Sequence, residues 1–355
     1  MLCAGASLHR STTVRIGVIG TKWGLMHVGA FRAAGAEVAA LCGKTPEHTR
    51  EVAAREGIAL ATTDVRELCT AVDAVVVASP DALHRQHVEA ALEAGKAVLC
   101  EKPLTLTEED ALALVARARA SSRPCAVNFP YRMLPPLRAL KDWLAHRPLR
   151  HLVVTLRNSF VRVEAEGPGG PFVGDSADWN GLSHLLDTAL WLAGSAPTWV
   201  QASLTGRPVH TAALQVGLAS GAVLVLTHAP APEPGLHGGW TLLGRDWEAG
   251  FSGGYVPSRD GWCVSPVRLF QQGAWSDLAP GLEPQPGARE PWAQAHVETA
   301  HRFLAALRGA ALTGLATLEE GATVQRLLAA AIASEQQGRR VTLSPVPPAP
   351  PPSPA

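Results

Sequence analysis

Two short stretches combine residue types that can move protons and steady charge. The first is Glu101-Lys102-Pro103, which ends the apolar run Ala97-Val98-Leu99-Cys100. A lysine ammonium delivered by such a run can hydrogen-bond a reacting oxygen and stabilise negative charge developing on it. Pro103 restricts the backbone of Lys102 toward an extended form. The second is Asn180, His184 and Asp187, spaced i, i+4 and i+7, which share one face if the segment is helical throughout. Imidazole suits proton transfer near neutral pH. Asp187 either orients His184 or pairs within its own domain. Ser183 is an alternative helix cap, and a later helix start leaves Asn180 in the preceding loop.

Both stretches need elements to place them. Over residues 14–129, apolar runs alternate with helix-like segments: VRIGVIG, EVAALCG, AVVVASP, KAVLCEK and CAVNF are separated by stretches with caps and stops. Thr45 and Pro46 start one helix and Gly57 ends it; Asp81 is read as the N-cap of another, ending at Gly95. Continuous apolar strands alternating with helices indicate a doubly wound parallel sheet covered on both faces. Its ligand crevice lies at the carboxyl ends of the strands. Gly20, Gly43, Ser79, Pro80, Asp81, Glu101 and Lys102 should all face it. His84 follows on the next helix.

The first crevice loop is Gly20-Thr21-Lys22-Trp23-Gly24. A glycine-rich turn between strand and helix lets phosphate reach backbone N–H groups and the helix N-terminus. Against the dinucleotide fingerprint, Gly20 fits the first glycine, Lys22 occupies the second, and Gly24 arrives one residue early. Lys22 can offer the pyrophosphate a positive charge. At the end of the second strand, where an NAD site places an acid, stand Lys44 and Thr45, with Arg50 further on. A base and a hydroxyl there suit a 2′-phosphate, so NADP is expected over NAD.

After about residue 130 longer strand-like runs appear, with helical segments at 181–194, 291–307 and 317–340. They indicate a second, α+β domain on a large, mostly antiparallel open sheet. The expected division is an extension at 1–13, a dinucleotide-binding domain at 14–129, a substrate and oligomerisation domain at 130–343, and a proline-rich tail at 344–355. Residues 164–179, rich in Gly, Pro and acids, read as a loop bordering a substrate pocket. Arg132 follows the crossover and is assigned to the hinge. His27, His48 and His87 are assigned to the surface or the cofactor rim.

Composition narrows the class. Lys+Arg and Asp+Glu are both 31, which gives no reason to expect nucleic acid or an anionic membrane as partner. No apolar run reaches the ~18 residues of a membrane span. The six cysteines are scattered, with no metal-ligand spacing, so no metal is expected. Reduced thiols and the lack of a signal-peptide pattern suit a cytoplasmic protein.

With these pieces placed, the chain resembles the Gfo/Idh/MocA family of NAD(P)-dependent oxidoreductases. The stretches that carry the resemblance are ASPDALHRQHVEAALEAGKAVLCEKPL, NFPYRMLPPLRALKDWL, SHLLDTALWLAG and TLEEGATVQRLLAAAIASEQQGRRV. It implies a Rossmann domain, a C-terminal sheet that often forms homodimers or homotetramers, and a Lys102 beside nicotinamide and substrate, before a cis Pro103. It also implies hydride transfer to or from a sugar, inositol or similar polyol, with Lys102 and His184 catalytic. Two departures stand out. Asn180 occupies the place of the family's Asp in Asp-x-x-x-His, and Asp81 that of its Asn after Pro. GTKWG also looks like the loop of the related thiazolinyl imine reductases, so imine reduction is an alternative; a non-catalytic NAD(P) sensor is another.

Overall fold

The structure is a computed structural model describing residues 13–159, 177–205, 211–259 and 261–344, with only the backbone of 177–180. The extension, the tail from 345 and most of the loop at 164–179 lie outside the described residues.

The strands are β1 Arg15–Ile19, β2 Glu37–Cys42, β3 Leu60–Thr62, β4 Ala74–Val77, β5 Ala97–Glu101, β6 Cys125–Asn128, β7 His151–Asn158, β8 Pro197–Thr205, β9 Thr211–Leu218, β10 Val223–Pro230, β11 Leu236–Leu243, β12 Trp247–Val256, β13 Gly261–Val264, β14 Val267–Gln271, β15 Ala274–Ala279, β16 Ala316–Thr317 and β17 Val341–Thr342. The helices are α1 Gly24–Ala33, α2 Pro46–Glu56, α3 Val65–Thr70, α4 His84–Glu93, α5 Glu108–Ser121, α6 Pro135–Leu144, α7 Ala177–Ala193, α8 Pro291–Leu307 and α9 Leu318–Gln337.

The first sheet runs β16-β6-β5-β4-β1-β2-β3, parallel from β6 to β3. Strands β4 and β5 are buried along their whole length, as apolar runs sandwiched between helices must be. The order reverses between β1 and β4, so the loops after these two strands flank the switch-point crevice. The seventh strand, β16, is antiparallel and comes from late in the chain. It covers the edge of β6, which would otherwise present unpaired backbone groups.

The second sheet runs β15-β14-β12-β11-β7-β10-β9-β8-β17, with β13 on β12. Only β7 and β10 pair in parallel among its described pairs. Along β7, Leu152, Val154 and Leu156 are buried while His151, Thr155 and Arg157 are exposed. This alternation gives the sheet one core face, and helix α7 packs against it. Helix α9 joins the two units, lying against both α5 and β8. Its start is a capping box. Thr317 Oγ1 accepts from the Glu320 N–H at 3.2 Å, and Glu320 Oε2 accepts from the Thr317 N–H at 2.9 Å.

One helix start differs from expectation. Asp81 begins a single 3₁₀ turn through Leu83, and α4 begins only at His84. The Asp81 carboxylate accepts from the adjacent Ala82 N–H at 3.1 Å, which spends it in the turn rather than on a cap. No helix of the described residues is long and apolar enough to cross a membrane.

Candidate active site

The crevice begins at Gly20, whose φ of +122° is open to glycine. A Cβ there would lie 2.2 Å from the Ala78 carbonyl oxygen, so the nucleotide loop packs directly on the end of β4. At Gly24 a Cβ would meet Val18 Cγ1 at 2.8 Å. Gly24 thus allows close helix–strand packing, although it arrives one residue early in sequence. Trp23, the N-cap of α1, makes no side-chain capping bond, and the Leu25 and Met26 N–H groups turn back to the Lys22 and Trp23 carbonyls at 3.1 Å. Lys22 and Trp23 are exposed at this helix start, and Thr21 is half-buried. Lys44 and Thr45 are exposed just beyond β2. Arg50 is turned away and pairs with Glu47 at 3.1 Å. These residues fit a dinucleotide: a glycine cradle and a helix start without a side-chain cap beside the switch point, with cations after β1 and β2.

Strand β5 carries Glu101 into the interior and ends at Lys102, whose bond to Pro103 is cis. Glu101 is buried. Its Oε1 accepts from Asn128 Nδ2 at 2.6 Å and lies 2.7 Å from His27 Nε2, and its Oε2 accepts from the Lys102 backbone N–H at 3.2 Å. Burial alone would raise the carboxyl. The His27 bond and the charges of His27, His296 and Lys102 outweigh it and hold the group well below the usual carboxylate range. Glu101, expected at the cofactor, is therefore an inward anchor that shapes the turn before Lys102. Burial lowers the Lys102 ammonium from 10.5 to about 8, against the opposing pull of Glu101 and Asp81.

His84 is likewise an anchor. Its Nδ1 lies 2.8 Å from the Pro103 carbonyl and its Nε2 3.0 Å from the Ser79 carbonyl, so the ring ties the β4 loop to the Lys102 turn. Burial lowers its pKa, and the neutral ring carries one N–H, so it donates to one of these two carbonyls at a time. Ser79 Oγ is held by His87 Nδ1 at 2.9 Å, while Pro80 is exposed and Asp81 half-buried at the rim.

Helix α7 starts at Ala177, so Asn180 is helical and one turn before His184. The Asn180 side chain lies outside the described residues. His184 sits among aromatic rings, 5.1 Å from Tyr131, 5.5 Å from Trp292 and 6.0 Å from Phe129 by centroids. Its Nδ1 is buried with no hydrogen-bond partner. Burial, followed by the Lys102 charge, pushes its pKa well below 6.5, so the ring is neutral. Asp187 does not orient it. Arg132 donates to Asp187 through Nη2 at 2.6 Å and Nε at 3.0 Å, and to Glu320 through Nη1 at 2.9 Å. This buried clamp joins the crossover to α7 and α9, the hinge position expected of Arg132.

His27 is not at the surface or the cofactor rim; it is 1% exposed and packs 5.5 Å from His296. His48 is exposed and His87 half-buried. Sequence reasoning missed His296 and Trp292 on α8 and Asn128 on β6. No local motif marks them, because α8 reaches the crevice only by packing on α1 and on the turn at Pro130–Met133.

A glycine cradle at the end of β1, a lysine at the end of β5 and a neutral histidine from the second unit fit a dinucleotide-binding Rossmann domain joined to a second unit. Residues 14–129 match the Gfo/Idh/MocA family profile, "Oxidoreductase family, NAD-binding Rossmann fold". Among curated relatives, 1,5-anhydro-D-fructose reductase of Ensifer adhaerens is 38% identical over 135 residues, covering 35% of this chain and 40% of that protein. Inositol 2-dehydrogenase 1 of Saccharopolyspora erythraea is 44% identical over 117 residues, covering 31% and 35%. The chain thus spans less than half the length of these relatives. Its fold is shared with the structure titled levoglucosan dehydrogenase, complex with NADH and levoglucosan. There the TM-score is 0.78 at 20% identity, covering 94% of this chain and 100% of that one.

Proposed function

We propose that the protein is an NAD(P)-dependent oxidoreductase that moves hydride between the cofactor and a hydroxyl or carbonyl carbon of a sugar, inositol or similar cyclic polyol. The observation that carries this reading is a neutral, buried His184 within electrostatic reach of Lys102, which follows β5 at the carboxyl edge of the parallel sheet. The nicotinamide, when bound, supplies the hydride acceptor. Lys102 donates a hydrogen bond to the substrate oxygen and stabilises the negative charge that grows as the hydroxyl proton leaves. His184 accepts that proton, and its low pKa keeps the lone pair available at neutral pH. The aromatic surroundings keep water from the reacting atoms. Arg132, Glu101 and His84 position these groups without touching substrate. The relatives' names, a sugar reductase and an inositol dehydrogenase, support the substrate class.

Lys44 and Thr45 favour NADP over NAD, since a 2′-phosphate between them gains charge-assisted hydrogen bonds. Among the described residues, the face of β7 and β10 opposite the core carries half-buried Val153, Val223 and Val225 beside exposed Thr155 and Thr227. It is the surface through which a homodimer or homotetramer would form.

The test is a screen of myo-inositol, aldoses and anhydrosugars with NAD⁺ and NADP⁺. Native protein should reduce the cofactor with at least one polyol. Tight nucleotide binding without turnover of any polyol, ketose or imine would sink the reading in favour of a sensor.

A further inference from the structure

We propose that His27, Glu101 and His296 form a binding site for one divalent cation of the zinc class. The residues come from α1, the end of β5 and α8, and are 1%, 5% and 1% exposed. Their ligating atoms lie within 4.8 Å of one another.

The polar accounting of the cluster is unbalanced. His296 Nδ1–H donates to the Trp292 carbonyl at 2.8 Å, which fixes the tautomer and leaves the lone pair on Nε2. That Nε2 is buried without a hydrogen-bond partner. Asn128 Oδ1 is also buried without one, while its Nδ2 is spent on Glu101. Two buried acceptors, His296 Nε2 and Asn128 Oδ1, therefore lack hydrogens beside a carboxylate that already holds three donors. Buried lone pairs without partners are costly, and a cation satisfies several at once.

Two imidazoles and one carboxylate are a recognised zinc donor set, with a fourth position left open. The backbone bond at His296 Nδ1 and the Asn128 bond to Glu101 are the outer contacts that orient such ligands. Bonds of about 2.0–2.2 Å require ligand atoms roughly 3.3–3.5 Å apart. The His27–Glu101 separation of 2.7 Å must widen by less than ~1 Å, and no other pair, all being within 4.8 Å, need close by more than ~1.5 Å. Side-chain rotations supply both. The Nε2–H of His27 is replaced by the metal–nitrogen bond while Nδ1 takes up a proton from water, so the ring stays neutral as its Nδ1–H tautomer and no net proton is released.

The test uses the full chain stripped with chelator, titrated with zinc sulfate and desalted. Metal content, melting temperature and X-ray absorption are read; none depends on what the protein oxidises, so failure here leaves the hydride-transfer reading intact. One zinc per chain, a raised melting temperature and a first shell of two imidazoles and one carboxylate are expected. His296→Phe, which keeps the aromatic packing, should weaken binding at least tenfold, and exposed His48→Gln should not change it. Zinc retained equally by native and His296→Phe protein, no zinc retained, or a sulfur shell would overturn the site. If His296→Phe does not fold, the native absorption spectrum alone decides.

Discussion

Lys102→Met should make the protein more stable and nearly inactive. The native ammonium is held against burial, which lowers its pKa from 10.5 to about 8. At about 1.4 kcal/mol per pH unit, that drop is a cost of roughly 3 kcal/mol. Below pH 8 the lysine is protonated in both states, and the folded protein bears the whole cost. Between pH 8 and 10.5 the unfolded chain holds the proton more often than the native one, so native stability rises with pH. Above 10.5 the cost is gone. Lys102 is only partly buried and water screens it, so about 1–2 kcal/mol of gain is expected for the variant at pH 7. Glu101 is not stranded by the change, because His27 and Asn128 still hold it. The gain corresponds to a rise of several degrees in melting temperature. Melting of both proteins at pH 7, 8.5 and 10.5 checks it: the gap should be largest at pH 7 and close by 10.5. Turnover should fall on the order of 10²-fold or more. A variant no more stable at pH 7, or a gap that ignores pH, would refute the idea that Lys102 is held charged at a cost.

Four further outcomes are expected. The oxidation rate should fall above pH about 8 as the Lys102 ammonium is lost, and stay flat on the acid side near neutrality because His184 is already neutral; Lys102→Arg should remove the alkaline limb. His184→Ala should lose on the order of 10²-fold in turnover with cofactor affinity intact, while Asn180→Asp, by placing a carboxylate one turn away, should move the acid limb upward. Titration should show NADPH bound more tightly than NADH, with the preference lost in Lys44→Asp. Arg132→Ala should leave Asp187 buried without its cation and cost about 3–5 kcal/mol, read as a large fall in melting temperature and faster proteolysis near residue 130.

The parallel sheet was legible because its strands are short apolar runs separated by helix caps and stops, and that pattern is local. The same locality exposed Lys102, since the residue after a buried strand must emerge at the crevice. Helix α8 was also readable, with bounds at Pro291 and Leu307, but not its destination. Whether a histidine is a rim residue or a buried partner depends on which helix covers it, and α8 covers His27 with His296 from some 270 positions away in sequence. The protein partners of Glu101 and His84 were not legible for a related reason: spacing places a side chain at an edge, but only packing decides what it meets there. The Asp187 alternatives closed in the same way, when Arg132 was brought across the crossover to meet it. Chain pattern fixed the elements because hydrophobic periodicity is set by nearest neighbours; the protonation states of Lys102 and His184 were decided only by the tertiary structure, because desolvation and opposing charge are sums over residues distant in sequence.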